Sequence, residues 1–209
     1  MKSIIDIIIR NNEIHAKWLN TLSFMENAGA RKISACEDQV TVDLIQLKHA
    51  AEEHRHAYYL KKQIQKLVPD YCINYKVHEL MAPGYTRQYL HRLDIEACRF
   101  LKNTFQLEGK ELRYASYLFV TYAIEVRADE LYPVYQEALD KAKSRVMVKS
   151  IILEEEGHLE EMIQQLENFH NEWELYAEEV LKIEQRLFED WLNAVEKEVV
   201  SYESSKALA

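Results

Sequence analysis

An acid and an imidazole set inside the apolar stripe of one helix constrain this chain more than any other feature. Over Val148 to Phe169, the residues Val148, Ile151, Glu155, His158, Leu159, Met162, Leu166 and Phe169 follow one another at helical spacing and share a face. Glu154, Glu156, Glu160 and Glu161 fall off that stripe, where a surface helix normally keeps its acids. Glu155 and His158 do not. Burying a charge without a partner is expensive, and the Glu-x-x-His spacing puts two side chains one turn apart, where both can grip one ion. A hydrogen-bonded Glu–His pair in an ordinary helical core is the competing reading of this motif taken alone.

The pattern recurs at Glu53-His54-Arg55-His56. Val42, Ile45, Leu60, Ile64 and Leu67 form the stripe here; Glu53 and His56 fall on it, while Arg55, Lys61 and Lys62 point away. Two inward-facing pairs in one helical chain are far harder to obtain by accident than one.

Composition decides the rest of the architecture. The 209 residues can form one substantial core, and 48% apolar with 29% charged residues is the balance of a globular protein, so a single domain over 1–209 is expected. Only four Gly and three Pro punctuate a chain rich in Leu, Ala, Glu, Lys and Gln, which predicts an all-α fold. A net charge of −9 without a basic run argues against nucleic acid as a partner. Cys36, Cys72 and Cys98 are few, odd in number and far apart, the usage of reduced thiols in a cytoplasmic protein, and no Cys-x-x-Cys marks a zinc or rubredoxin-type site. The run Ile4 to Ile9 is interrupted by Asp6 and followed by Arg10, so it reads as the buried start of a helix and not as a leader. No segment is long and apolar enough to span a membrane.

Taken in order, a first helix over Ser3 to Ile33 carries Ile14, Trp18, Leu22, Met25, Gly29 and Ile33 on one face, with Glu26 at its edge and Glu13, Lys17 and Asn20 on the wet side. Glu26 is the acid to place inside; pairing with a basic neighbour at the boundary is its other reading. Residues 34–41 form a loop, Thr41 caps a second helix that runs through Leu67, and Pro69 ends it. In an antiparallel pair, residues at one level are equidistant from the turn. The midpoint of Glu26 and Glu53 lies between Gln39 and Val40, inside the loop, so the two acids can meet.

Residues 68–109 make a long crossover with its own helix over Thr86 to Phe105, closed by Gly109, which a bundle needs if its second and third helices run parallel. One more helix of a larger bundle is the simpler description, and Asp94 and Glu96 are expected to be exposed. From Lys110, Tyr114, Leu118, Thr121, Tyr122, Glu125, Ala128 and Tyr132 share a face, with Arg113, Arg127 and Glu130 away from it. Glu125 is the inward acid, and Asp129 a second choice. The midpoint of Glu125 and Glu155 is Asp140. The next turn must therefore fall near Asp140 to Ser144, and Pro133 must bend the helix without ending it. A final helix over Asn171 to Val200 packs along the bundle or against another subunit, as in a homodimer, and residues 201–209 are expected to fray. His49, one turn before Glu53, is an outer group or a solvated or core histidine; His15, His54, His78, His91 and His170 are read as surface residues. Tyr58, Tyr59, Tyr114, Tyr122 and Tyr132 are mostly amphipathic core.

The assembled set is Glu26, Glu53, His56, Glu125, Glu155 and His158, in the order Glu, Glu-x-x-His, Glu, Glu-x-x-His. It resembles the ferritin-like di-iron carboxylate superfamily, whose four-helix bundles place such residues around two metals. Glu125 followed by Leu131-Tyr132-Pro133 is similar to the corresponding helix of rubrerythrins, without the rubredoxin module. The resemblance implies a ferritin-like four-helix bundle with a long helical crossover and an extra C-terminal helix. It implies two metal ions, iron first and manganese second, bridged by Glu53 and Glu155, bound terminally by Glu26 and Glu125, and each held by one of His56 and His158. It further implies an oxidase, oxygenase or peroxidase that uses dioxygen or peroxide on a small-molecule substrate. A ferroxidase that handles iron itself is the first alternative; a non-catalytic helical binding or assembly protein with a partial site or none is the second.

Overall fold

Asn11 breaks what the spacing reads as one first helix. In the computed structural model, which describes the backbone of residues 1–207 and the side chains of residues 1–204, helix α1 (Lys2–Ile9) stops at Arg10, and α2 (Asn12–Cys36) starts afresh. The Asn11 side chain accepts from the backbone N–H groups of Glu13 and Ile14 at 3.0 and 3.2 Å, satisfying donors that a helix start leaves free. Likewise Asp43, and not Thr41, caps α3 (Leu44–Ile64), accepting from Ile45 and Gln46. Val42 is consequently outside the helix and exposed. Helix α4 (Pro83–Phe105) begins with proline at its first turn and ends on Gln106 in the left-handed region. Gly109, at φ +58°, does not close that helix but opens α5 (Gly109–Lys141). Helices α6 (Lys149–Phe169) and α7 (Trp173–Ala207) complete the chain, with one short 3-10 turn at Val77–Glu79 and no strand among the described residues. Helix thus continues into the segment expected to fray; residues 208–209 lie outside the described residues. Among those described, no helix is long and apolar enough to cross a membrane.

Helix α5 runs through Pro133 to Lys141. Pro133 and Asp129, whose carbonyl loses its helical donor there, are both exposed, so the break in the ladder costs little. The turn to α6 spans residues 142–148, overlapping the expected Asp140 to Ser144 but centred a few residues later. It is tied by Ser144 N–H to the Leu139 carbonyl and by Val148 N–H to the buried Gln136.

Cross-helix contacts give the directions. Gln46 to Ile33, Ser23 to Ala57 and Lys61 to Asn20 make α2 and α3 antiparallel. His49 with Glu161, Arg55 with Glu154 and Gln63 with Met147 make α3 and α6 antiparallel. Because α5 and α6 form a hairpin, α3 and α5 run parallel, and the crossover that carries α4 makes this possible. Helices α2, α3, α5 and α6 are therefore the four that surround the central acids. Helix α7 covers α4 and α5, with Trp191 stacked on Trp18 at 5.6 Å between centroids and donating to Thr86 at 2.9 Å.

Three residues expected on the surface are inside. Asn20 is fully buried because it donates to the Asn74 and Glu79 carbonyls and accepts from Lys61, tying α2 to the crossover. Arg127 is drawn in by Glu184 on α7. His15 is buried with its Nε2 2.5 Å from the Tyr135 hydroxyl, and burial pushes its imidazole down to about 4. The unfolded chain binds that proton near the ordinary 6.5 and the native chain does not, so stability is lost as pH falls from 6.5 towards 4. Unfolding measured against pH should show His15→Gln escaping about 3 kcal/mol of this loss; parallel pH profiles for wild type and variant would refute the assignment.

Candidate metal centre

The four helices bring six side chains to one level. Glu26 comes from α2, Glu53 and His56 from α3, Glu125 from α5, and Glu155 and His158 from α6. Glu125 and Glu155 are 2% exposed and Glu53 7%, whereas Glu26 is half-buried at the edge of its stripe. Their atoms fall into two sets, Glu26, Glu53, His56 and Glu155, and Glu53, Glu125, Glu155 and His158, within each of which the ligand atoms lie within 4.8 Å of one another. Asp129 is exposed and plays no part.

Both imidazoles present Nδ1 to the centre. His56 Nδ1 lies 3.1 Å from Glu155 and 3.8 Å from Glu53; His158 Nδ1 lies 3.4 Å from Glu155 and 3.6 Å from both Glu53 and Glu125. These contacts attract electrostatically without hydrogen-bond alignment, so His56 Nδ1, His158 Nδ1 and Glu125 Oε2 are buried polar atoms with no protein partner. Buried polar atoms are rarely left so. Three of them, divided between the two sets and set amid four carboxylates, have the donor chemistry of a site for hard or borderline cations. The cluster can hold metal.

Charge bookkeeping agrees. Burial pushes the Glu53 carboxyl well above its usual range, and repulsion from Glu26 and Glu155 adds to it; burial and Glu155 do the same to Glu125. Burial also works against Glu155, but contacts from His158 and His56 outweigh it and hold that carboxylate low. Burial pulls His158 down, yet Glu125 and Glu155 override it and raise the imidazole to about 11; Glu155 and its neighbours likewise raise His56. Without cations, burial and mutual repulsion thus favour proton uptake by the cluster.

The opposite ring nitrogens are fixed from outside. His56 Nε2 is 2.7 Å from Glu154, and His158 Nε2 is 2.7 Å from Glu52. The exchange is reciprocal: Glu52 on α3 serves the histidine of α6, and Glu154 on α6 serves the histidine of α3. Helical spacing alone puts Glu154 off the stripe and gives Glu52 no role, although both motifs carry the signal as the doublets Glu52-Glu53 and Glu154-Glu155. Arg55 binds Glu154 through both terminal nitrogens at 2.7 and 2.5 Å, and Lys48 lies 3.9 Å from Glu52, so the outer acids face cations in turn. His49 is such an outer group too. It is fully buried, 2.8 Å from Glu161 and 4.5 Å, ring to ring, from His158; burial and that neighbour lower its pKa. Tyr132, on the α5 turn after Ala128, donates to Glu26.

Comparison with protein-family models, with curated proteins and with solved structures finds no match.

Proposed function

We propose that this chain is a dinuclear metal oxidoreductase built on a ferritin-like bundle, with Glu26, Glu53, His56 and Glu155 around one ion and Glu53, Glu125, Glu155 and His158 around the other. One observation carries the reading: the two ligand sets share Glu53 and Glu155, the arrangement that two cations close enough to act together require. Two divalent ions would also offset the four carboxylates, replacing the protons that otherwise sit there. Oxygen-rich ligands with one imidazole per ion suit iron, then manganese, and such a pair supplies electron transfer to dioxygen or peroxide in the oxidation of a small molecule.

The protein's own part is positioning. Glu154 and Glu52 accept from Nε2 of His56 and His158, which leaves Nδ1 of each free to bind and holds the rings in place. Glu154→Gln and Glu52→Gln should each weaken one ion by about 10- to 100-fold, measured by competition with a chelator of known affinity. Tyr132 orients Glu26 through its hydroxyl.

Elemental analysis of the full chain expressed with iron or manganese tests the reading. About two ions per chain, with oxygen consumption by the reduced protein, supports it. Loading of many ions would instead mark storage, and none a binding or assembly protein. Loading should also expel protons, because burial and mutual repulsion raise the Glu53 and Glu125 carboxyls and the facing carboxylates raise His158 to about 11. In weakly buffered titration we expect protons to be released on loading and binding to tighten as pH rises; a pH-independent affinity would contradict that assignment.

A further inference from the structure

A narrow cleft of about 100 Å³ opens beside the acids, between α2, α4 and α5. Glu26, Glu53, Glu125 and Tyr132 close its inner end. Its walls are apolar: Met25 and Ile33 face Val120, Ile124 and Leu131, with Leu90 on the third side. At the outer end stand Lys32 and Asp94, paired at 2.7 Å and half-exposed, beside Cys36. From Glu26 to Cys36 along α2 the cleft runs about 15 Å at the helical rise, so its modest volume is drawn out into a slim channel.

Gly29 faces this channel. It sits in mid-helix, where glycine weakens the helix, and a Cβ added to it would meet nothing within 4 Å. No close packing or special backbone angle requires glycine there. Ala128 lines the facing wall, also small.

We propose that the ligand of this site is a single-chain, unbranched apolar molecule with one polar end. Its chain lies in the cleft with the buried tip beside Glu26 and Glu125, and its polar end rests at the Lys32–Asp94 mouth. Delivery of the tip to metal ions rests on the function proposed above; occupation of the cleft does not. A volume of about 100 Å³ spread over that length suits a chain better than a bulky ring system, and a free metal ion would need no apolar wall of this length.

The test uses the purified full chain, 1-hexanol and 1-octanol as probes, and titration calorimetry, with metal content measured on the same samples. Each added CH₂ buried in the cleft tightens binding about fourfold, so 1-octanol, with two more, should bind roughly fifteenfold more tightly than 1-hexanol. Gly29→Leu and, from the opposite wall, Ala128→Leu should each weaken 1-octanol at least about tenfold while helical content and metal loading stay those of the wild type. Absence of 1-octanol binding in metal-loaded wild type, or binding that neither substitution affects, overturns this inference and leaves the metal centre standing. Binding of 1-octanol that both substitutions weaken, in protein that takes up no metal, upholds the cleft and overturns the metal centre.

Discussion

Glu155→Ala should abolish metal binding at both positions, whereas Glu26→Ala should leave about one ion per chain. Glu155 belongs to both ligand sets, and Glu26 to only one. Glu155 is also the anion that both imidazoles face, at 3.1 Å from His56 and 3.4 Å from His158. Its removal leaves Glu53 as the sole shared carboxylate, and Glu53 by itself is pushed towards its protonated form by burial and by Glu26. The expected loss of affinity is at least about a hundredfold for each ion, read by elemental analysis after desalting and by chelator competition. Equal stoichiometry in Glu155→Ala and Glu26→Ala would rule out a shared ligand. Glu125→Ala should resemble Glu26→Ala, with the remaining ion on the His56 side.

The second large effect lies away from the acids. Glu184 of α7 is 1% exposed, accepts from Arg127 at 2.9 and 2.7 Å, and takes the Tyr89 hydroxyl as well. The Arg127 guanidinium lies 4.0 Å over the Phe188 ring and is almost wholly covered. Glu184→Ala therefore takes from a largely covered guanidinium its buried partner, leaving Glu130 and Gln185 at the surface, and strands a buried hydroxyl, at a cost of about 3–5 kcal/mol. For a chain of this length that is a fall in melting temperature of about 6–20 °C. Metal stoichiometry should be unchanged, since α7 supplies none of the six side chains. A cost below about 1 kcal/mol would mean that Glu130, which also pairs with Arg127, takes over the charge.

These two sites differ in how far they could be read in advance. Glu155 and His158 stand out in the sequence because they violate the stripe they sit in, and Glu53 and His56 repeat the violation. Arg127 and Glu184 violate nothing: each lies among other charged residues on its own helix, and only the docking of α7 against α5 buries them together. His15 and Asn20 are hidden from helical spacing for the same reason. A residue off the main stripe of a helix is exposed only if no second element covers that side, and α1, the crossover and α7 cover it here. Glu52 and Glu154 show an intermediate case, with their doublets visible but their reciprocal exchange dependent on the antiparallel register of α3 and α6.

Helix boundaries divide in a similar way. The length of α5 was legible despite Pro133, because two acids had to meet at one height and rigid helices convert sequence distance into axial distance. The break at Asn11 was not, because a single capping side chain decides locally whether a helix continues or restarts, and the apolar spacing on either side is compatible with both.

What the residues alone determined was periodicity: all-helical structure, four inward acids, two inward imidazoles, and turns placed so that their levels agree. The tertiary structure decided which carboxylates lie between both imidazoles, which nitrogens are left without partners, and that an apolar cleft reaches the acids. The physical reason is that spacing along a helix specifies direction and height, while distances of a few ångströms between helices, and the space left between them, depend on side chains far apart in the chain packing against one another.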